Sequence, residues 1–302
     1  MRRGKLGCHL GLVMCFCSLL PAPLPAQATP LTTQSAREAS GIRVNVDMVL
    51  VPTTVTDPFG RLVSGLGLGH FRVFEDGVEQ ELVMVNEEDA PISVAIVFDV
   101  SGSMRPLVDL AREAALEFMR SANPDDRFVM VAFGSRAEVL TDLDTTEEEL
   151  RNRLLYTDAK GMTAMLDGIY LGLAKLRSAP TQRRAMLVIT DGQDNHSRYS
   201  EKAVAEALRE AGVQVYGLGY DGLGILRKLA DSSGGRMFPM SDPRNTSSVI
   251  WAELRNQYVL GYRSSNKRTD GKWRKIKLRM RVPKGTPPLR IYAKSGYYAP
   301  LR

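Results

Sequence analysis

The chain of 302 residues carries 40 Lys and Arg against 34 Asp and Glu, a formal charge of +6, and 44% of its residues are apolar. That apolar share is ordinary for a globular protein, and the length exceeds the usual size of one domain, which suits an α/β domain plus something smaller. The charge is too small to argue for nucleic acid as a partner.

Arg2, Arg3 and Lys5 precede an apolar stretch at 6–20 and a small-residue run at 21–28, where Ala26-Gln27-Ala28 fits a signal peptidase site. This is the pattern of a secretory signal over 1–28. The apolar stretch is shorter than the roughly 20 residues that span a bilayer, which disfavours a retained anchor. Leu12-Val13-Met14-Cys15 fits a lipid-attachment box poorly, because Met14 is large where a small residue is needed. Cleavage leaves 37 basic residues against 34 acidic, a formal charge of +3, and removes Cys8, Cys15 and Cys17, all the cysteines. Disulfides and thiolate metal sites are thereby excluded from the mature chain, and an exported domain without them rests on its core.

After a linker at 29–41, residues 42–56 alternate, with Val44, Val46, Met48 and Leu50 sharing a face. Pro58-Phe59-Gly60 makes a turn, and 71–74, Glu75-Asp76-Gly77 and 81–85 read as a hairpin. These belong to an N-terminal β segment at 42–90.

The apolar run from Ile92 to Phe98 reads as a strand covered on both faces, and it stops at Asp99-Val100-Ser101-Gly102-Ser103. Ligands of open α/β sheets collect beyond the carboxyl ends of such strands. One carboxylate and two hydroxyls placed there suit a hard divalent cation, which takes oxygen ligands. The alternative is that Asp99 and Ser101 cap the helix that begins near Pro106.

Helical periodicity follows at 107–119, a turn at Asn123-Pro124-Asp125-Asp126, a strand at 127–133 and a helix at 147–156. Gly161-Met162-Thr163-Ala164 then presents a hydroxyl from a loop ahead of a helix marked by Met165, Leu166, Ile169, Leu173 and Leu176. A second buried strand, from Ala185, ends at Thr190-Asp191-Gly192. A helix at 201–211, stopped by Gly212, and a strand at 213–218 complete an alternation that implies a doubly wound, mostly parallel sheet with helices on both faces.

With Asp99, Ser101, Ser103, Thr163 and Asp191 in place, residues 91–250 resemble the von Willebrand factor type A (VWA) domains, whose metal-ion-dependent adhesion site is written Asp-x-Ser-x-Ser, then Thr, then Asp. The resemblance implies that the serines, and in some states Thr163, bind Mg²⁺ (or Mn²⁺) directly. Asp99 and Asp191 act directly or through water, and one position is left for the Asp or Glu carboxylate of a protein partner. Met162 stands where many relatives have a second glycine, which implies a stiffer loop. Related domains couple the metal to movement of their last helix, here at 246–255.

Downstream, 257–262, 273–282 and 289–294 read as strands of a C-terminal β segment at 256–302. Its basic run, Lys267, Arg268, Lys272, Arg274, Lys275, Lys277, Arg279 and Arg281, alternates from Lys275 onward with Ile276, Leu278, Met280 and Val282. That is a strand with one solvated face that discourages edge pairing, or else a patch for an anionic membrane surface or polysaccharide. Neither flank has enough strands for a core alone, so the two are expected to pair as one small β-sandwich with the α/β domain, 91–255, inserted between them. This arrangement, closing on Gly296-Tyr297-Tyr298, resembles the VWFA-related Acidobacterial domain family over about 42–300.

No phosphate loop and no Gly-x-Ser-x-Gly elbow occurs, and the mature chain keeps only His70 and His196. No catalytic residue is assigned. The expectation is an exported (periplasmic, cell-surface or secreted) metal-dependent adhesion or binding module, with a structural envelope component and, more remotely, a metal-dependent hydrolase as alternatives.

Overall fold

The computed structural model describes residues 48–87, 89–143, 145–219, 224–282, 285 and 287–301. The signal, the linker, the cysteines and the start of the first predicted strand lie outside the described residues.

The N-terminal flank forms β1 (Met48–Thr56), β2 (Phe71–Glu75), β3 (Val78–Gln80) and β4 (Leu82–Glu87). The hairpin at Glu75-Asp76-Gly77 exists, but its return strand is β3 and not 81–85. Asp76 (φ +46°) and Gly77 (φ +88°) both adopt positive φ, the signature of a two-residue turn that returns the chain at once, so pairing begins at Val78. The following residues cross to another sheet as β4.

The α/β segment runs β5 (Ile92–Asp99), α1 (Val108–Arg120), β6 (Arg127–Phe133), β7 (Ala137–Thr141), α2 (Glu147–Leu155), α3 (Met165–Arg177), β8 (Arg183–Ile189), α4 (Glu201–Ala211), β9 (Gln214–Gly219), α5 (Gly224–Ser233), β10 (Met237–Pro239) and α6 (Pro243–Arg255). The strands lie in the order β10-β9-β8-β5-β6-β7, parallel except for the β6–β7 pair. Every residue of β5 is buried. Its Val94, Ile96 and Phe98 face a core shared with Phe118 of α1 and Trp251 of α6, while Ala95 and Val97 face Ile169 and Leu173 of α3 on the other side. The chain leaves β5 for β6 and returns on the opposite side as β8, so the strand order reverses between β5 and β8. The crevice beyond those two carboxyl ends is the place where this topology binds ligands.

The C-terminal flank supplies β11 (Tyr258–Arg263), β12 (Trp273–Met280), β13 (Arg290–Ala293) and β14 (Gly296–Tyr298). Two four-stranded sheets result, β13-β1-β11-β4 and β14-β12-β2-β3, each drawing strands from both ends of the chain. Val51, Val55, Phe71, Val73, Leu260 and Tyr262 pack between them. The charged face of β12 is solvated as expected; β14 pairs with β12 at Trp273–Lys275 and β2 pairs with it at Ile276–Met280. Inside, the buried Glu75 carboxylate accepts from Tyr262 (2.8 Å), Ser264 (2.6 Å) and Tyr297 (3.0 Å), the fully bonded state that a buried carboxylate requires.

The strands that enter and leave the α/β segment are bound to each other. Arg183 donates to the carbonyls of Ala90 and Leu254, and Arg255 pairs with Asp126 (2.7 Å), whose other oxygen accepts from the Ile92 amide (3.0 Å).

Candidate functional site

β5 ends in Asp99, which is fully buried. Its Oδ1 accepts the Ser101 amide at 2.7 Å and its Oδ2 accepts the Thr190 hydroxyl at 2.5 Å. The chain then turns through a 3-10 segment, Gly102–Met104, before α1. Neither Asp99 nor Ser101 caps a helix, since the caps of this turn and of α1 accept no side-chain bond. That removes the simpler explanation for the Asp-x-Ser-x-Ser spacing.

From this turn the Ser101 and Ser103 hydroxyls meet at 3.1 Å, and Ser103 donates to Asp191 Oδ1 at 3.0 Å. Asp191 follows β8, so this contact bridges the crevice between the two central strands. Thr163 arrives from the third loop. A Cβ built on Gly192 would stand 3.7 Å from Ser103 Oγ and 3.9 Å from Thr163 Oγ1, which places both hydroxyls over Gly192. All five predicted residues are thus brought to one crevice. His196 is exposed, and it is its backbone amide that is engaged, donating to the Thr163 carbonyl at 3.1 Å.

The loops are fixed by residues that sequence reasoning passed over. Thr190, wholly buried, holds Asp99. The N-cap of α3, Ala164, offers no side-chain bond, and the free amides of the first turn are taken by a loop distant in sequence: Asp194 accepts from Leu166 N–H (2.9 Å) and Ser197 from Asp167 N–H (3.0 Å). Asp167 reciprocates, accepting from the amides of Arg198 (2.9 Å) and Tyr199 (3.1 Å). Asn195 adds a clamp on Thr163 itself, Oδ1 accepting its amide at 2.9 Å.

The Thr163 loop also leans on β5 and β6. Gly102 N–H donates to Gly161 O (3.0 Å) and Lys160 N–H to Val100 O (2.7 Å). Gly161 has φ +85°, and a Cβ there would fall 2.4 Å from Ser135 Oγ, the same hydroxyl that accepts the Met162 amide at 3.0 Å. Met162 points outward, 48% exposed. The glycine that this loop requires is therefore Gly161. Gly161→Ala is expected to lose about 1–3 kcal/mol in chemical denaturation, from left-handed strain plus the clash, whereas Gly192→Ala meets only ordinary contacts. Equal losses for the two would contradict this account.

Burial raises the Asp99 carboxyl above its ordinary pKa, and the nearby Asp191 charge adds to the rise, while the bonds from Thr190 and Ser101 oppose it. No ion pair among the described residues offsets that carboxylate. Nor is any group of three His, Cys, Asp or Glu side chains placed to hold a metal among them, so a cation here would rely on two carboxylates and three hydroxyls. An all-oxygen set with a low negative count fits a hard divalent ion.

The family model of the von Willebrand factor type A domain matches residues 94–193, a span that contains all five residues. An uncharacterized protein of Borreliella burgdorferi is 27% identical over 141 residues, covering 43% of this chain and 41% of its own length. The human inter-alpha-trypsin inhibitor heavy chain H3 is 25% identical over 193 residues, 57% of this chain and 22% of its own. The chain therefore spans less than half the length of these curated relatives. Among solved structures, a von Willebrand factor type A protein from Catenulispora acidiphila superposes with a TM-score of 0.51 at 17% identity, covering 84% of this chain and 64% of that one. That share exceeds what 91–255 alone could supply, so the common fold reaches into the flanking sheets. Domains of this family are interaction modules and often bind a divalent metal. Residues 94–193 of this chain, within the doubly wound unit and bearing the five oxygen side chains at its crevice, match the von Willebrand factor type A family model, and the fold is that of such a domain.

Proposed function

We propose that Asp99, Ser101, Ser103, Thr163 and Asp191 form a metal-ion-dependent adhesion site that captures a carboxylate of a protein partner. The observation that carries this reading is a fully buried carboxylate without a cationic partner among the described residues, facing three hydroxyls and a second carboxylate at the switch point of the sheet. When bound, Mg²⁺ or Mn²⁺ supplies a positive centre that two carboxylates and neutral hydroxyls leave attractive to an incoming anion. The chain's own part is positioning: Thr190 and the Ser101 amide orient Asp99, and Asn195 and Asp194 hold the Thr163 loop.

In the same reading, 91–255 is the binding unit, and 42–90 with 256–302 form its base, as in the VWFA-related Acidobacterial domain family. The first 28 residues direct export and are removed, so the protein works in the periplasm, at the cell surface or outside the cell. No helix among the described residues is long and apolar enough to cross a membrane. A purely structural role for the ion is less favoured, because direct hydrogen bonds already join the three loops.

Calorimetric titration of the mature chain with Mg²⁺ and Mn²⁺ is expected to give one site. Binding to arrayed peptides containing Asp or Glu is expected in Mg²⁺ and lost in EDTA. Peptide binding that persists undiminished in EDTA would overturn the proposal.

A further inference from the structure

At the other end of the six-stranded sheet, under the amino ends of β8 and β9, the α/β segment closes over the sheet of β1 and β11 around a cavity of about 300 Å³. Arg183, Arg184, Arg209 and Lys294 line it, and no Asp or Glu is among its described lining residues. Arg184 donates to the carbonyls of Thr181 and Ala179, which are uncharged, while Arg183 is engaged at the junction of the segments, where it donates to the carbonyls of Ala90 and Leu254. Arg209 lies over the ring of Trp273 at 5.0 Å, and its Nε is buried without a partner. Lys294 keeps part of its surface exposed, but desolvation lowers its ammonium to about 8, with no counter-charge acting on it.

Concentrated positive charge in an enclosed space is unfavourable unless an anion offsets it, because the low dielectric strengthens repulsion and desolvation alike. Arg209 adds to the concentration because it sits in the last turn of α4, whose carbonyl end favours a cation there. The remaining walls include Leu50, Leu208 and Val259, which water solvates poorly. Lys294 also borders a neighbouring groove of about 520 Å³ with Lys267 and Arg268, extending the same sign of charge outward.

We propose that this cavity is a binding site for a small organic carboxylate, its charged group held by the lining cations and its short hydrocarbon part lying against Leu50, Leu208 and Val259. The site is separate from the Asp99 crevice and does not depend on the metal reading.

The test is a calorimetric and thermal-shift titration with hexanoate, succinate and inorganic phosphate, in EDTA throughout, on the wild-type mature chain, Lys294→Met and Arg209→Gln. Hexanoate is expected to bind the wild type at millimolar concentration and raise its melting temperature, with at least tenfold weaker binding in both variants. Lys294→Met should itself melt no lower than wild type without ligand, since it removes a desolvated charge, which separates lost binding from lost folding. Asp99→Asn should bind hexanoate as wild type does. Phosphate binding in place of the carboxylates would overturn the ligand class. Carboxylate binding that is unchanged in both variants, or absent from the wild type, would overturn the site.

Discussion

Glu253→Ala is expected to destabilise the protein by about 3–5 kcal/mol, because it leaves a buried guanidinium without its counter-charge. The Glu253 side chain, on α6, is 1% exposed and pairs with Arg236, which is 16% exposed. Arg236 sits over Phe238 of β10 (4.5 Å) and Tyr292 of β13 (5.1 Å), and its Nε is buried without a hydrogen-bond partner among the described residues. Burial already lowers the Arg236 pKa. The pair therefore joins the last helix of the α/β segment to the edge strand beside it and to the flanking sheet. Removing the acid strands a cation at that three-way junction, whereas replacing both partners by apolar residues of similar volume removes charge and counter-charge together. Urea denaturation followed by circular dichroism should thus show Glu253→Ala well below wild type, and the double variant Arg236→Met/Glu253→Leu recovering most of the loss. A loss under about 1 kcal/mol for the single variant would show that water reaches the site and that the junction is held by packing alone.

Where the sequence was legible, local chemistry and tertiary packing agreed. α4 was readable at both ends because Ser200 accepts the Ala203 amide and Gly212 takes the left-handed cap. The run from Ile92 was readable because a strand covered on both faces is nearly continuous in apolar residues, here broken only by Ser93 before Asp99. Three elements of the α/β segment were not read. β7 is a half-exposed edge strand with two charged or polar positions in five, and β10 has three residues, too few for a period to show. α5 opens on Gly224, two residues after Gly222 in sequence, a stretch whose composition reads as loop.

The site divides in the same way. The five oxygen side chains were legible because their spacing is a motif, but their supports were not. Thr190 looked like the end of an apolar strand. A hydroxyl where Ile189 leads one to expect another branched aliphatic was the available signal. Asp194, Asn195 and Ser197 were overshadowed by His196, although a cluster of Asp, Asn and Ser commonly bonds free backbone amides. Here it bonds those of a helix distant in sequence, which no local pattern reveals.

Asp99→Asn is expected to erase the metal-dependent rise in melting temperature and to weaken metal-dependent peptide capture by more than 100-fold, while leaving the metal-free protein at least as stable as wild type. The asymmetry follows from the hydrogen bonds. In the native chain a desolvated carboxylate receives the Ser101 amide and the Thr190 hydroxyl but no compensating cation among the described residues. An Asn at that position keeps the first bond through its amide oxygen. Its NH₂ can donate to Thr190 Oγ1, because the Thr190 hydroxyl has a second acceptor within reach, the Gly192 carbonyl at 3.4 Å. Shape and hydrogen bonding are therefore preserved, and the one thing removed is a buried negative charge, whose isolation is costly when nothing pairs with it. A structural carboxylate would behave in the opposite way, since its loss would destabilise the protein with or without metal. Melting curves of both proteins in Mg²⁺ and in EDTA decide between these. If Asp99→Asn melts well below wild type in EDTA, Asp99 is a structural anchor of the three loops and the metal reading loses its principal ligand. If the two melt together in EDTA and only the wild type rises with Mg²⁺, the charge of Asp99 is held in the crevice for a cation.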